Sequence, residues 1–280
     1  MTQAASVLPA RRAGILARPD CSLYYEVTGS GPALVFAHGL GGNHMSWWQQ
    51  VAHFAPTHTC ITFAARGFAP SSGLVGAPDP RDFAGDLAAL IEHLGLRNVA
   101  LVGQSMGGWG AMEYALSHAG SVRALVLAAT TGTISPQRIG GPEQMRLSQW
   151  QADSARATAM LRQRGIHPAA GARIAREQPA LHLLYQHIDD MNATLDKATL
   201  RERMTAQRTR VPTDLAAVGC PVLFISGDED VVIPPFAADA IARAVPGIRV
   251  ENVPDAGHSV YFERAGRFNA IVELFLASNA

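Results

Sequence analysis

Short runs of apolar residues alternate along the chain with segments in which apolar residues recur every three or four positions. The runs cover residues 33–37, 59–63, 99–102, 122–128 and 221–226. Apolar runs of this length are typical of strands buried on both faces of a parallel sheet. The segments at 82–94 and 106–118 have the helical spacing. Alternation of the two patterns predicts an α/β fold with a mostly parallel sheet covered by helices on both sides.

The two ends of this pattern add further elements. Residues 13–18 and 22–28 predict two antiparallel strands, because a Pro19-Asp20 turn separates them. After residue 226 the sequence predicts a helix over 235–245, a strand over 249–253 and a helix over 260–276.

The interval from about residue 130 to 210 interrupts the alternation. It has helical spacing, many arginines and methionines, and no strong strand signal. We interpret it as a helical insertion, called the lid here, that lies over the ends of the strands. The predicted organisation is therefore a first core part over 1–129, the lid over 130–210 and a second core part over 211–280.

Composition narrows the class of protein. A chain of 280 residues with 48% hydrophobic residues can bury one large α/β core with an insertion. Lys plus Arg and Asp plus Glu both number 23, so no global basic excess favours nucleic-acid binding. No run reaches the roughly 18 apolar residues of a membrane span. Residues 1–10 do not resemble a signal peptide, because the arginines follow the apolar stretch.

The cysteines and histidines give no metal signal. Cys21, Cys60 and Cys220 are far apart, and the sequence has neither a Cys-x-x-Cys nor a His-Glu-x-x-His pattern. We expect reduced, mostly structural cysteines in a cytoplasmic protein, and neither a metal nor a cofactor.

The strongest chemical signal is Gly-x-Ser-x-Gly at residues 103–107, with Ser105 at its centre. By itself the pattern fits a glycine-rich turn capped by a serine. A buried strand precedes it and a helix follows at once, which predicts a very tight turn that projects the Ser105 hydroxyl at a helix N-terminus. This setting favours a nucleophilic serine.

A nucleophilic serine needs a base, and the base needs an acid to orient it. Three acidic residues, Asp228, Glu229 and Asp230, directly follow the strand at 221–226, and His258 follows the strand at 249–253. Ligands gather at the carboxyl ends of the strands in an open α/β sheet. We therefore expect His258 and one of the three acids to lie near Ser105.

From about residue 22 to 275 the chain resembles the α/β-hydrolase superfamily, with Ser, Asp and His in that family's order. The resemblance implies the α/β-hydrolase fold with a cap. It also implies that Asp230, which closes a Gly-x-x-Asp turn, is the acid, and that His258 in its Gly-His pair is the base. The segment at 38–42 is similar to the family's His-Gly-x-Gly-Gly. This similarity implies an oxyanion hole formed by the backbone N–H groups of Leu40 and Met106.

One segment departs from the family pattern. Where the family has Asp-x-Arg-Gly-x-Gly-x-Ser, Ala64 and Ala69 replace the aspartate and the second glycine. Those positions serve the loop more than the chemistry, so we expect altered local geometry with the three catalytic candidates intact.

Candidates for substrate contact are less sharply defined. His44 and Trp47 follow the oxyanion segment and could line the substrate pocket, or Trp47 could pack in the core. Residues 131–210 carry 12 basic and seven acidic residues, so the lid has a positive balance. Either these charges are solvated, or the lid favours a carboxylate-bearing substrate. The candidate contacts from the lid are Arg138, Arg146, Trp150, Arg162 and Arg164.

The predicted function is serine-dependent hydrolysis of a small-molecule ester or lactone through an acyl-enzyme. Two alternatives share the same motifs: a carbon–carbon bond hydrolase of aromatic degradation and a cofactor-free perhydrolase. A small-ligand receptor that has kept the fold is a third alternative from another class. Turnover separates the enzymes from the receptor.

Overall fold

The predicted strands form one eight-stranded sheet. The computed structural model describes residues 9–140 and 142–279; residues 1–8, where the sequence predicts no signal peptide, lie outside this part. The spatial order is β1-β2-β4-β3-β5-β6-β7-β8, with β1 and β2 antiparallel to their neighbours and the other strands parallel. The strands are β1 (Arg11–Ala17), β2 (Ser22–Thr28), β3 (Ala33–Ala37), β4 (Thr59–Phe63), β5 (Val99–Gln104), β6 (Val122–Ala128), β7 (Val222–Gly227) and β8 (Arg249–Val253).

Helices cover both faces of the sheet. In chain order they are α1 (Trp48–Phe54), α2 (Asp82–His93), α3 (Met106–Ser117), α4 (Glu143–Gln163), α5 (Gly171–Glu177), α6 (Pro179–Asp190), α7 (Lys197–Ala206), α8 (Ala237–Ala244), α9 (Val260–Glu263) and α10 (Ala265–Ala277). No helix within the described residues has the length and apolar character needed to cross a membrane.

The central strands are apolar throughout because both of their faces are buried. Every residue of β3, β5 and β7 is buried. Because successive side chains point to opposite faces, Val35 and Leu101 pack in one core layer while Leu34 and Ala100 pack in the other. The prediction of a mostly parallel sheet covered on both faces is confirmed.

Four helices, α4 to α7, occupy the interval between β6 and β7. The two ends of this interval meet, because Ile134 and Arg210 form an isolated parallel bridge. Arg210 also pairs with Glu113 on α3, its Nε and Nη2 each lying 2.7 Å from a carboxylate oxygen. The lid is thus closed at its base on the core; its exact boundaries at 130 and 210 stay a prediction.

The last predicted helix is divided in two. The sequence predicts one helix over 260–276, whereas the structure has α9 and α10 with Arg264 between them. Arg264 leaves the helical conformation, with φ −126° and ψ 44°. Its Nε donates to the Asp255 carbonyl at 2.9 Å. This break ties the C-terminal helices to the loop that carries His258.

Candidate active site

Ser105 occupies a strained turn between β5 and α3. Its φ of 51° and ψ of −114° are rare for a residue with a side chain. The turn requires glycine two residues before and two residues after Ser105, because neither position has room for a methyl group. A Cβ on Gly103 would lie 2.7 Å from Gly108 Cα, and a Cβ on Gly107 would lie 2.1 Å from the carbonyl oxygen of Ala37.

The backbone of Ser105 is held while its hydroxyl is left out of helix capping. The Ser105 N–H donates to Ala128 O at 2.9 Å, and Thr130 Oγ1 donates to Ser105 O at 2.8 Å. Ser105 is the N-cap residue of α3, but its side chain makes no capping hydrogen bond. The hydroxyl is therefore available for chemistry.

His258 and Asp230 form a buried pair at the carboxyl ends of β8 and β7. His258 Nδ1 lies 2.8 Å from Asp230 Oδ2, and both side chains are at most 3% exposed. The other oxygen, Oδ1, accepts from the N–H groups of Val232 at 2.6 Å and Ile233 at 2.9 Å. With Nδ1 donating to the carboxylate, Nε2 of His258 is the nitrogen that can accept a proton.

The other two acidic residues of the loop have different partners. Asp228 Oδ1 accepts from the Ala256 N–H at 3.4 Å, and Glu229 pairs with Arg173 of the lid. Of the three acids, Asp230 is therefore the one that contacts His258.

Ser105 and His258 line the same cavity, between the carboxyl edge of the sheet and the lid. Its volume is about 750 Å³, and Leu40 and Met106 also line it. Met106 begins α3, so its N–H lies in the first helical turn, where backbone donors have no partner within the helix. The candidate nucleophile, the candidate base and the two candidate oxyanion-hole residues thus line one cavity.

His38 supports the loop that contains Leu40. Its Nδ1 donates to the Gly39 carbonyl at 2.8 Å, and its Nε2 accepts from the Ala65 N–H at 2.9 Å. Burial lowers the pKa of His38 to about 4, so the ring is neutral at pH 7. A Cβ on Gly39 would lie 3.2 Å from Ser105 Cβ, so the loop passes directly beside the serine.

The segment that departs from the family pattern is ordered by its arginine. Arg66 is buried and forms a two-bond pair with Asp86, in which Nε and Nη2 each donate at 2.7 Å. Hydrogen bonding to Asp86 raises the pKa of Arg66. Because Arg66 is held in this way, the adjacent Ala65 N–H is positioned to donate to His38.

Trp47 and His44 do not line the cavity beside Ser105. Trp47 is fully buried, with its ring centroid 5.1 Å from Phe36 and 4.4 Å from Tyr261. His44 Nε2 lies 3.5 Å from a Glu26 oxygen. Trp47 therefore takes the core-packing alternative, whereas the expectation that His44 lines the substrate pocket is corrected, since His44 faces β2.

The lid candidates also require correction. Arg146 and Trp150 line a separate depression of about 420 Å³, where the Arg146 guanidinium lies 4.2 Å from the Phe236 ring centroid. Of the candidate arginines, Arg162 is the one found at the Ser105 cavity among the described residues.

Three residues that sequence reasoning missed line this cavity: Tyr185, Arg201 and Arg208. A Cβ on Gly41 would lie 2.8 Å from the Tyr185 hydroxyl, so this hydroxyl is next to the oxyanion loop. Arg201 and Thr205 lie four residues apart on one face of α7, and Arg208 follows the end of that helix. The helical spacing of Arg201 and Thr205 is visible in the sequence, but no motif indicates which face of α7 lines the cavity.

The part of the chain that the structure describes contains no group of three or more His, Cys, Asp or Glu side chains placed to hold a metal ion.

Comparison with known proteins identifies the family. The sequence model of the alpha/beta hydrolase fold matches residues 32–265, so the chain belongs to that family. A Mycobacterium tuberculosis protein named "Putative non-heme bromoperoxidase BpoC" is 29% identical, over 92% of this chain and 98% of its own.

Two solved structures extend the likeness over nearly the whole chain. The enol-lactonase from Burkholderia xenovorans LB400 has a TM-score of 0.74 and 23% identity, over 94% of this chain and 100% of its own. A thermophilic esterase from Thermogutta terrifontis has a TM-score of 0.71 and 25% identity, over 96% and 98%. Together with the family match, these likenesses identify the chain as a hydrolase.

Proposed function

We propose that this hydrolase cleaves a small-molecule ester or lactone by nucleophilic catalysis, with Ser105 as nucleophile, His258 as general base and Asp230 as its orienting acid. The observation that carries the proposal is the buried 2.8 Å contact between His258 and Asp230, at a cavity that Ser105 also lines. A strained serine, a correctly oriented imidazole and nearby backbone donors are the parts that acyl transfer requires.

In the first step, His258 Nε2 removes the hydroxyl proton as Ser105 Oγ attacks the carbonyl carbon. The N–H groups of Leu40 and Met106 stabilise the negative charge that develops on the carbonyl oxygen. His258 then protonates the departing alcohol oxygen, which leaves an acyl group on Ser105.

In the second step, His258 removes a proton from water, and the resulting hydroxide attacks the acyl carbon. The tetrahedral intermediate collapses, His258 returns the proton to Ser105 Oγ and the acid is released. Every proton in the cycle passes through one imidazole, so the sequence of steps needs no cofactor.

A second candidate is perhydrolysis, supported by the 29% identical relative whose printed name is a non-heme bromoperoxidase. The acyl-enzyme would then react with hydrogen peroxide in place of water. A peracid would leave and Ser105 would be regenerated. Both functions use the same first step and differ only in the molecule that attacks the acyl-enzyme.

The test combines active-site labelling with turnover. A fluorophosphonate probe should label Ser105, as read by mass spectrometry, and Ser105→Ala should abolish labelling. Hydrolysis of p-nitrophenyl esters, simple lactones and a ring-cleavage dienoate is then compared with and without hydrogen peroxide. We expect Ser105→Ala to lower kcat by at least about a thousandfold. Ser148→Ala, a change on the exposed surface of α4, is the control.

Retention of most of the activity by Ser105→Ala would rule out the mechanism. Accumulation of peracid at a rate that rivals hydrolysis would select the second candidate. Turnover of the dienoate alone would select the carbon–carbon hydrolase alternative.

A further inference from the structure

The wall of the Ser105 cavity carries three arginines from the lid. Arg162 belongs to α4, Arg201 to α7, and Arg208 follows the end of α7. None of the three forms an ion pair with a carboxylate among the residues that the structure describes. A charged group that loses contact with water needs another partner to offset the cost of burial.

Neighbouring arginines show that Arg208 is unusual. Arg210 donates twice to Glu113, and Arg203 Nη1 donates to the Pro78 carbonyl at 3.1 Å. Arg208 lies between them in sequence, but its Nε is buried without a hydrogen-bond partner among the described residues. Its guanidinium carbon lies 6.0 Å from the ring centroid of Trp109, one helical turn after Ser105.

The positive charges on the cavity wall are not fully compensated by neighbouring carboxylates, which favours binding of an anion. Burial lowers the pKa of Arg208, yet a guanidinium remains charged at neutral pH. Partial burial, followed by the positive charge of Arg162, lowers the pKa of Arg201, and the charge of Asp189 opposes this only in part. Two cations from different helices therefore repel each other across the wall, and a bound anion would reduce that repulsion.

The acidic residues of the same wall leave positive charge in excess. Asp189 is engaged by Lys197 Nζ at 2.5 Å and faces His167 Nε2 at 3.6 Å. Asp190 is exposed and lines the cavity. Three arginines thus line the wall with two carboxylates, of which Asp189 is already paired with Lys197.

We propose that the cavity takes an ester or lactone that carries a second, ionised carboxylate, which Arg208 binds while Arg162 and Arg201 add electrostatic attraction. The planar guanidinium can donate two parallel hydrogen bonds to such a group, which fixes orientation as well as charge. This substrate class rests on the proposed function, because the scissile carbonyl must reach Ser105 at the same time.

A matched pair of substrates tests the charge alone. The p-nitrophenyl ester of pentanoic acid and the mono-p-nitrophenyl ester of glutaric acid differ by replacement of a terminal methyl with a carboxylate. We expect wild type to have the higher kcat/KM for the glutarate ester. In Arg208→Met the ratio of the two kcat/KM values should fall by about tenfold to a hundredfold. Arg208→Lys should retain part of the preference, since it keeps the charge but loses the paired donors.

Two further variants, Arg162→Met and Arg156→Met, are compared on the same pair of substrates. Arg162 is exposed, so its replacement should leave the fold intact and still reduce the glutarate preference. Arg156 lies on the same helix but pairs with Asp153 outside the cavity, so Arg156→Met is the control. An equal loss of preference in Arg156→Met, or a wild-type preference for the pentanoate ester, would overturn the proposal.

Binding of free glutarate separates this proposal from the catalytic one. Isothermal titration of wild type with glutarate should show saturable binding that Arg208→Met weakens at least about tenfold and Arg156→Met does not. Arg208-dependent binding without Ser105-dependent hydrolysis would retain the subsite and reject the proposed function. Ser105-dependent hydrolysis with glutarate binding that ignores Arg208 would reject the subsite alone.

Discussion

Glu263 is a buried carboxyl group immediately behind the candidate base. It is 4% exposed, and its Oε1 accepts the N–H of Gly257, the residue before His258, at 2.6 Å. Burial raises the pKa of Glu263 from 4.5 to about 7. The hydrogen bond from Gly257 and the charge of Arg264 oppose this rise, but burial outweighs them.

The raised pKa makes the stability of the protein depend on pH in a definite direction. Between about pH 4.5 and 7 the folded protein keeps a proton on Glu263 that the unfolded chain releases. The free energy of unfolding therefore falls as pH rises through this window. The stabilisation is fully present below pH 4.5 and is lost by about pH 7. At 1.36 kcal/mol per pKa unit, the whole change is about 3 kcal/mol.

Glu263→Gln isolates this effect, because the amide oxygen can still accept from Gly257 and the side chain does not titrate. We expect wild type and variant to have similar free energies of unfolding near pH 4.5. At pH 8 the variant should be more stable by about 3 kcal/mol. Urea denaturation followed by circular dichroism at several pH values between 4.5 and 8 gives this difference directly.

Glu202→Gln is the matched control, since Glu202 is an exposed glutamate on α7. Its stability should stay parallel to that of wild type over the same pH range. If Glu263→Gln also ran parallel to wild type, Glu263 would lose its proton as readily in the folded protein as in the unfolded chain. Burial would then not raise the pKa of Glu263.

Two further substitutions test the candidate site and its backbone. Asp230→Asn places an amide donor opposite His258 Nδ1, so the ring proton moves to Nε2 and the base is lost. The kcat for p-nitrophenyl esters should fall by about 10³–10⁴. Retention of a tenth of the wild-type kcat would contradict the role assigned to Asp230. Gly107→Ala places a methyl group 2.1 Å from Ala37 O and should lower the free energy of unfolding by about 3 kcal/mol in urea denaturation. Gly266→Ala, where a Cβ meets open space, should not.

The fold and the tight turn at Ser105 could be predicted because their signals are local. A strand buried on both faces must be apolar at every position, so the strands are visible as continuous runs. The turn at Ser105 requires glycine on both sides, because the backbone of Ala37 and the start of α3 leave no room for a side chain. Such constraints act within a few residues and leave a readable pattern.

The role of Trp47 could not be predicted in this way. A tryptophan after the oxyanion loop can equally fill a pocket or the core, and its position in the sequence is the same in both cases. The outcome depends on Phe36 in β3 and Tyr261 in α9, which surround the ring. Tyr261 is more than two hundred residues away in the chain, so no local pattern connects it to Trp47.

The lid arginines show the same limit for charge. The composition of the lid shows an excess of basic residues over acidic ones, but it cannot show which residue each charge pairs with. The role of a charged side chain depends on that partner. Arg210 meets Glu113 and closes the lid on the core, whereas Arg208, two residues earlier, faces the cavity without a carboxylate. Ser105 and His258 come from the core, while the arginines come from the lid. Substitutions on the cavity face of the lid should therefore change which substrate is accepted and leave the order of bond making and breaking the same.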